Sequence, residues 1–282
     1  MMVCSDILSS TLVKAPQSQN DLLHQPQFLK QKENHPERKV LIIVQARMGS
    51  TRLPGKIMKT VLGRPLLDFL VHRLKRSALA DGIVIATTKN KQDVKIVNFC
   101  LGQEIFCFAG SEDDVLDRYY QAATKFNADV IVRISSDCPL IDPLLIDKLI
   151  SFFLELQPNC DYLSNTLVRT FPRGMDIEVF SYAALALAAE RAVLPEEREH
   201  VTPYIYRHPE LFKLHSYIQA DDNSRYRWTV DCPEDFELIT KILENIYPKN
   251  PDFTLQDLLK LLKKHPEWSK INAHIEQKPL TS

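Results

Sequence analysis

The chain has 282 residues, 45% hydrophobic and 25% charged, which is a globular composition with length enough for a sizeable core. Its net charge of −1 excludes a global pull toward nucleic acid or anionic lipid, so any anion binding has to come from a local cluster. Six cysteines lack Cys-x-x-Cys spacing, no apolar run has bilayer length, and Asp6 interrupts the weak apolar start. Together these predict a cytoplasmic protein with free, mostly buried thiols and no membrane insertion.

Residues 1–38 are rich in Gln, Asn, Ser, Lys and Pro and read as a disordered polar tail, with room for a short helix around Leu22–Leu29. Val40–Ala46 is a continuous apolar run, the pattern of a buried strand. Helical spacing follows over Pro65–Arg76, then a strand at Ile83–Thr87, a helix at Val94–Leu101 and a short strand at Ile105–Phe108. Asp113–Phe126 reads as a helix, with Ser111 and Asp114 placed as a capping box. Val130–Ile134 is a further strand, and Pro143–Leu156 a helix opened by proline. The second half is less regular. It offers strands at Met175–Phe180, Leu211–Gln219 and Arg227–Val230, and helices at Tyr182–Arg191, Pro233–Ile246 and Phe253–Lys264. Strand–helix alternation of this kind predicts an α/β fold, a Rossmann-like, mainly parallel sheet with helices on both faces.

Five constellations carry the chemistry. The loop QARMGSTRLPGK, residues 45–56, packs Arg47, Arg52 and Lys56 around small residues directly after the first strand. In an open parallel sheet that turn lies at the carboxyl edge, where ligands bind. Small residues let backbone N–H groups approach an anion while the cations neutralise it, which suits a triphosphate, although the loop is neither a Walker P-loop nor GxGxxG. A solvated basic loop is the plainer alternative.

The second constellation is a pair of carboxylates. Asp137 and Asp231 each open an Asp-Cys-Pro tripeptide at a predicted strand end. Two aspartates on one sheet edge can share Mg2+, which prefers oxygen ligands and takes the rest from phosphates. Either aspartate alone reads equally as a helix N-cap. In FPRGMDIEVF, residues 171–180, Asp176 and Glu178 are expected on one strand face, with Arg173 in the turn before it, as groups for sugar recognition or as an edge strand with a polar face. In EEREHVTPYIYRHP, residues 196–209, Arg198 offers a site for a carboxylate and His200 one for a hydroxyl, and an ordinary charged helix start explains the pattern equally. In GSEDDVLDRYYQAA, residues 110–123, the acidic start suits a helix N-terminus, and Tyr119 and Tyr120 read as packing.

These segments, with Ala86-Thr87-Thr88, REHVTPYIY and RWTVDCPEDFEL, appear in an order that resembles the cytidylyltransferases of spore coat polysaccharide biosynthesis. Those are relatives of the CMP-Kdo and CMP-acylneuraminate synthetases. The resemblance runs from about Val40 to about Tyr247. It implies a fold of the nucleotide-diphospho-sugar transferase type, with a catalytic domain over 39–250, a sugar-binding and dimerisation part over about 160–225, and a C-terminal helix and tail over 251–282. It implies transfer of CMP from CTP to a sugar acid with release of pyrophosphate, in a homodimer that binds no nucleic acid. It places nucleotide contacts at Gln45, Ala46, Arg47, Ser50, Arg52, Lys56, Ala86, Thr87 and Asp137. Mg2+ falls on Asp137 and Asp231, catalysis on Arg47, Lys56, Asp137 and Asp231, and sugar contacts on Arg173, Asp176, Glu178, Arg198 and His200. Ser136 and Cys232 depart from the family pattern, and neither removes a ligand. Other readings of the grip are a uridylyl- or guanylyltransferase, a glycosyltransferase using a nucleotide sugar, and a non-catalytic nucleotide-binding protein. A metal-dependent glycosyltransferase commonly carries Asp-x-Asp, a triplet this chain lacks.

Overall fold

The computed structural model of the chain describes residues 12–14 and 38–277. Its centre is an eight-stranded sheet in the order β1 (Leu12–Lys14), β10 (Leu214–Ile218), β8 (Tyr162–Ser164), β9 (Glu178–Ser181), β7 (Val130–Ser135), β2 (Val40–Gln45), β5 (Gly82–Thr88) and β6 (Phe106–Gly110). Every pairing is parallel except the two made by β9, which alone runs against the rest. A separate hairpin, β3 (Thr60–Val61) with β4 (Arg64–Pro65), turns through Leu62 and Gly63, both at positive φ.

Side chains alternate along the buried strands and so build two cores. In β2, Val40, Ile42 and Val44 face one core, and Leu41 and Ile43 face the other. Helices α1 (Leu66–Leu74), α2 (Val94–Gly102), α4 (Pro143–Glu155), α8 (Pro233–Ile246) and α9 (Leu255–Lys264) supply apolar residues to the first core. Helices α3 (Val115–Lys125), α5 (Tyr182–Arg191) and α7 (Pro203–Arg207) supply the second, and α6 (Pro195–His200) packs against α3. Both faces are covered, which is why the strands read as apolar runs rather than alternating ones.

The alternation predicted from Val40 to Leu156 is present with boundaries moved by one or two residues, and α5 and α8 have the predicted limits. Three expectations need correction. The strand predicted at Met175–Phe180 starts only at Glu178, because the side-chain amide of Asn165 takes over the backbone before it: its Nδ2 donates to Met175 O at 2.6 Å and its Oδ1 accepts from Ile177 N at 2.9 Å. Arg227–Val230 is extended but is not a strand. It makes one isolated bridge, Arg227 to Arg173, and Val230 N–H donates to Asp137 O at 2.9 Å. The cap of α3 is Asp114, whose carboxylate accepts from Asp117 N, while the Ser111 hydroxyl accepts from Asp114 N. Apart from Leu12–Lys14, the polar tail and the helix expected at Leu22–Leu29 lie outside the described residues.

Candidate active site

The carboxyl ends of β2, β5 and β7 meet at one edge, and the basic loop crosses it. The loop is tied down from both sides. Met48 N–H donates to Asp93 Oδ1 at 2.7 Å, and the fully buried Asp93 also accepts from the Thr88 hydroxyl at 2.5 Å. The carbonyl of Met48 receives both Ser50 N–H and Gly55 N–H, and Gly55 takes φ 65, a conformation natural to glycine. Several loop amides are thus used internally. Those of Arg47, Gly49, Thr51 and Arg52 make no hydrogen bond among the described residues, which leaves them for an anion.

Lys56 is where the two halves of the chain converge. Its ammonium donates to Asp137 Oδ2 at 2.6 Å and to Asp231 Oδ1 at 2.8 Å. The lysine side chain is only 13% exposed. Burial pulls its pKa down, but attraction to Asp137 and Asp231 outweighs that and holds it above the ordinary lysine value. Burial likewise pushes Asp231 up, and Lys56, Arg52 and Arg227 together bring it below the usual carboxylate value. Neither aspartate is a helix cap. Asp142 caps α4, and Cys232 occupies the cap position of α8. The N-cap alternative for the Asp-Cys-Pro pair is therefore excluded.

The other two loop cations are paired as well. Arg52 lies 3.2 Å from Asp231 Oδ2, and Arg47 lies 3.6 Å from Glu112, which also accepts from the Asn90 amide. A purely solvated loop does not organise all three of its cations on carboxylates of distant segments.

The remaining predicted contacts divide. Ala46 and Ala86 join β2 to β5 through Ala46 N–H to Ala86 O at 3.1 Å, and the buried Thr87 hydroxyl has no partner among the described residues. Ser50 Oγ accepts from Leu53 N at 3.4 Å. Gln45 Oε1 accepts from Arg133 at 3.1 Å. Arg133 also pairs with Glu178, and Glu178 Oε1 accepts from the hydroxyls of Tyr162 at 2.5 Å and Thr202 at 2.6 Å. Glu178 is thus a buried, saturated carboxylate, and it shares no strand face with Asp176, which pairs with Arg169 before the strand begins. Arg198 clamps Asp114 and the carbonyls of Ala189 and Ala192, so the structure does not bring it to the Lys56 cluster. His200 ends α6 in electrostatic contact with Glu196, and Val201 after it holds φ 73 in a γ-turn closed by Thr202 N–H to His200 O. Arg173 is half-buried and its guanidinium makes no hydrogen bond or ion pair among the described residues. Burial, with Arg169 and Arg227 close by, lowers its pKa.

Sequence reasoning missed Asp93, Arg133, Arg227 and Asp235. Arg227 and Asp235 stand in RWTVDCPED, and the i, i+4 and i, i+8 spacing to Asp231 and Asp235 was the available signal. Tyr119 is fully buried, as expected of a packing residue, and burial pushes its pKa up to about 12.

A basic loop with free amides, facing two aspartates across the carboxyl edge of a parallel sheet, is built to hold a nucleoside triphosphate, and the class of protein it defines is a nucleotidyltransferase. A profile of the cytidylyltransferase family matches residues 41–261. The spore coat polysaccharide biosynthesis protein SpsF of Bacillus subtilis (strain 168) is 36% identical over 236 residues, covering 81% of this chain and 95% of that protein. A 3-deoxy-manno-octulosonate cytidylyltransferase of Pseudomonas syringae pv. tomato is 27% identical over 257 residues, covering 72% of this chain and 97% of that protein. The solved structure of a cytidylyltransferase from Leptospira borgpetersenii superposes with a TM-score of 0.80 at 37% identity, covering 86% of this chain and all of that one. The chain belongs to the cytidylyltransferase family and is a CTP-dependent nucleotidyltransferase.

Proposed function

We propose that the chain transfers CMP from CTP to a sugar acid, releasing pyrophosphate, as a step toward a surface polysaccharide. The observation that carries the reading is the single cation, Lys56 Nζ, shared by Asp137 and Asp231. Two carboxylates that converge on one ammonium form a donor set that fits Mg2+, which completes its shell with phosphate oxygens and water. Among the described residues no group of three or more His, Cys, Asp or Glu forms a metal cluster, so the protein would supply two carboxylates and leave the rest of the shell to phosphate and water oxygens. When bound there, Mg2+ would neutralise charge on the α-phosphate oxygens.

The chain's own groups do the rest. Lys56, Arg47 and Arg52 exchange their carboxylate partners for phosphate oxygens, and the amides of Gly49, Thr51 and Arg52 add fixed dipoles. They hold the β- and γ-phosphates and stabilise the departing pyrophosphate. The anomeric hydroxyl of the sugar then attacks the α-phosphorus in line, with positioning supplying most of the acceleration. Arg173 is the predicted sugar contact whose guanidinium is uncommitted, and its electropositive surroundings suit a sugar carboxylate. The octulosonate acceptor of the Pseudomonas enzyme supports a sugar acid, and the part of SpsF in spore coat polysaccharide biosynthesis supports a polysaccharide destination. The same reading makes the protein a cytoplasmic homodimer; no described helix is long and apolar enough to cross a membrane.

The test is to incubate the protein with Mg2+, each of the four nucleoside triphosphates and a panel of sugar acids and neutral sugars, and to measure pyrophosphate. Release only with CTP and a sugar acid is expected. Release with a neutral sugar and no acid refutes the acceptor assignment.

A further inference from the structure

Asp231 is held by a chain of buried contacts that ends in a segment beyond the family match, which stops at residue 261. Its Oδ2 accepts from Arg227 at 2.7 Å. The Arg227 guanidinium is used on every nitrogen: Nε and one terminal nitrogen bind the Asp235 carboxylate at 2.9 and 3.1 Å, and the other terminal nitrogen donates to Gln277 Oε1 at 2.7 Å. Asp235 is fully buried and accepts two further bonds, from Asp231 N–H at 2.9 Å and from Asn272 Nδ2 at 2.8 Å. The same Asn272 nitrogen donates to Arg227 O at 2.9 Å.

Asn272 therefore grips Arg227 twice, at its own carbonyl and through its carboxylate partner. The two residues are far apart in sequence, and Asn272 arrives only after α9 and the 3-10 turn Pro266–Lys270. Asn272 is 2% exposed, so neither bond can be replaced by water without opening the segment. A buried carboxylate with four donors has one stable orientation, and it fixes both the backbone of Asp231 and the arginine on its outer oxygen.

We propose that Asn272 and Gln277 are positioning residues for Asp231, so that the C-terminal segment is a working part of the catalytic edge. The inference rests on the reading that Asp137 and Asp231 share the divalent cation. Loss of Asn272 frees Asp235 and Arg227 to relax, and Asp231 then turns from the orientation in which it faces Asp137 across Lys56. Among the described residues no hydrogen bond or ion pair joins the phosphate loop to residues 272–277, and the loop meets this chain of contacts only at Asp231, so nucleotide binding without metal changes less than binding with it.

The experiment is calorimetric. The affinity of the full-length protein for CTP is measured with Mn2+ and with EDTA, and the ratio gives the metal-dependent gain. Wild type shows a gain, and Asp231→Asn shows none. Asn272→Ala is expected to cut the gain by about tenfold or more, since partners of metal ligands commonly contribute about 10- to 100-fold. Its affinity in EDTA is expected to stay within about twofold of wild type by the same reasoning. Gln277→Ala, at an exposed position that cannot harm the core, is expected to show a smaller loss of the same kind. A wild-type gain in Asn272→Ala overturns the proposal, and so does an equal loss with and without metal, which marks a merely structural role. Should Asn272→Ala fail to fold, Gln277→Ala decides: a reduced gain supports the proposal and an unchanged gain overturns it. If instead wild type and Asp231→Asn show the same gain, Asp231 is not a ligand of the cation. The metal reading then fails first, and the positioning role falls with it.

Discussion

Gly174 lets the turn at Arg173 pack directly on the backbone of Trp228 and Thr229, which leads into Asp231, and replacing it with alanine tests the link. It sits at φ +96, and a Cβ there would lie 2.6 Å from both the carbonyl carbon and oxygen of Trp228 and 2.9 Å from Thr229 N. All three are backbone atoms, so no side chain can swing aside. An L-residue held in that region costs about 1–3 kcal/mol. Relief of the overlap pushes the 226–230 segment away and breaks the bonds Trp228 N–H to Arg173 O at 2.7 Å and Arg173 N–H to Tyr226 O at 3.0 Å. Each such bond contributes about 1 kcal/mol. The sum is about 3–5 kcal/mol, equivalent to a fall in Tm of about 10 °C for a domain of this size. Denaturant titration and thermal melting read the stability. Pyrophosphate release from CTP, measured well below the lowered Tm, reads the site. Because Val230 N–H to Asp137 O is the next bond along the segment, turnover is expected to fall further than the loss of folded protein explains. A variant with wild-type Tm and turnover refutes the reasoning, because it shows that the Arg173–Trp228 approach does not carry Asp231.

Lys56→Met removes the shared cation, leaving Asp137 without its ion-pair partner and Asp231 with Arg52 and Arg227 only; in the absence of nucleotide it is expected to bind Mn2+ more tightly than wild type and CTP in EDTA more weakly, both read by calorimetry. Asp137→Asn is expected to abolish pyrophosphate release while circular dichroism and Tm stay near wild type, since its carboxylate has Lys56 as its partner and caps no helix. Arg173→Ala is expected to raise KM for the sugar acid and leave KM for CTP within about twofold, an unchanged sugar KM removing it from the acceptor site. His72 contributes a pH dependence: burial, then Arg64 and Arg76, lower its pKa, and its buried Nδ1 has no hydrogen-bond partner among the described residues. A depressed histidine contributes stability that is present above its unfolded pKa of about 6.5 and lost as pH falls from there through the folded value, so stability should drop as pH falls below about 6.5 in wild type and less in His72→Phe.

The first half of the fold was legible because its physics is local. Apolar runs of strand length alternate with 3.6-residue spacing, and Asp142–Pro143 and Cys232–Pro233 mark helix starts that the structure keeps. The second half departs from its periodicity wherever a distant side chain replaces a ladder bond. Met175–Ile177 alternates like a strand, yet its backbone is satisfied by the amide of Asn165, ten and twelve residues away. Arg227–Val230 has strand composition, but its backbone partners are scattered, Arg173 O for Trp228 N–H, Asp137 O for Val230 N–H and the Asn272 amide for Arg227 O, so no ladder propagates. β8 is three residues long and fully buried, too short for any period to show.

The site divides on the same principle. A phosphate grip advertises itself, because cations and glycines must be adjacent in sequence for their backbone amides to converge. The carboxylates were visible only because Asp-Cys-Pro occurs twice. What holds them does not repeat and is not adjacent: Asp231 depends on Arg227, Asp235 and Asn272, and the loop depends on Asp93. These groups are buried charges and amides whose value lies in mutual saturation, and a single sequence carries no sign that one buried polar residue has found another. The acidic and arginine residues predicted to touch the sugar show the converse. Glu178 and Arg198 look available in the sequence, but the fold uses them up on Arg133 and Asp114, and leaves Arg173 free. A polar residue therefore points to a ligand only after its protein partners have been counted, and by that count the catalytic edge of this chain presents Lys56, Arg47 and Arg52 in exchangeable pairs, and Arg173 alone among the predicted sugar contacts without a bonded partner in the described residues.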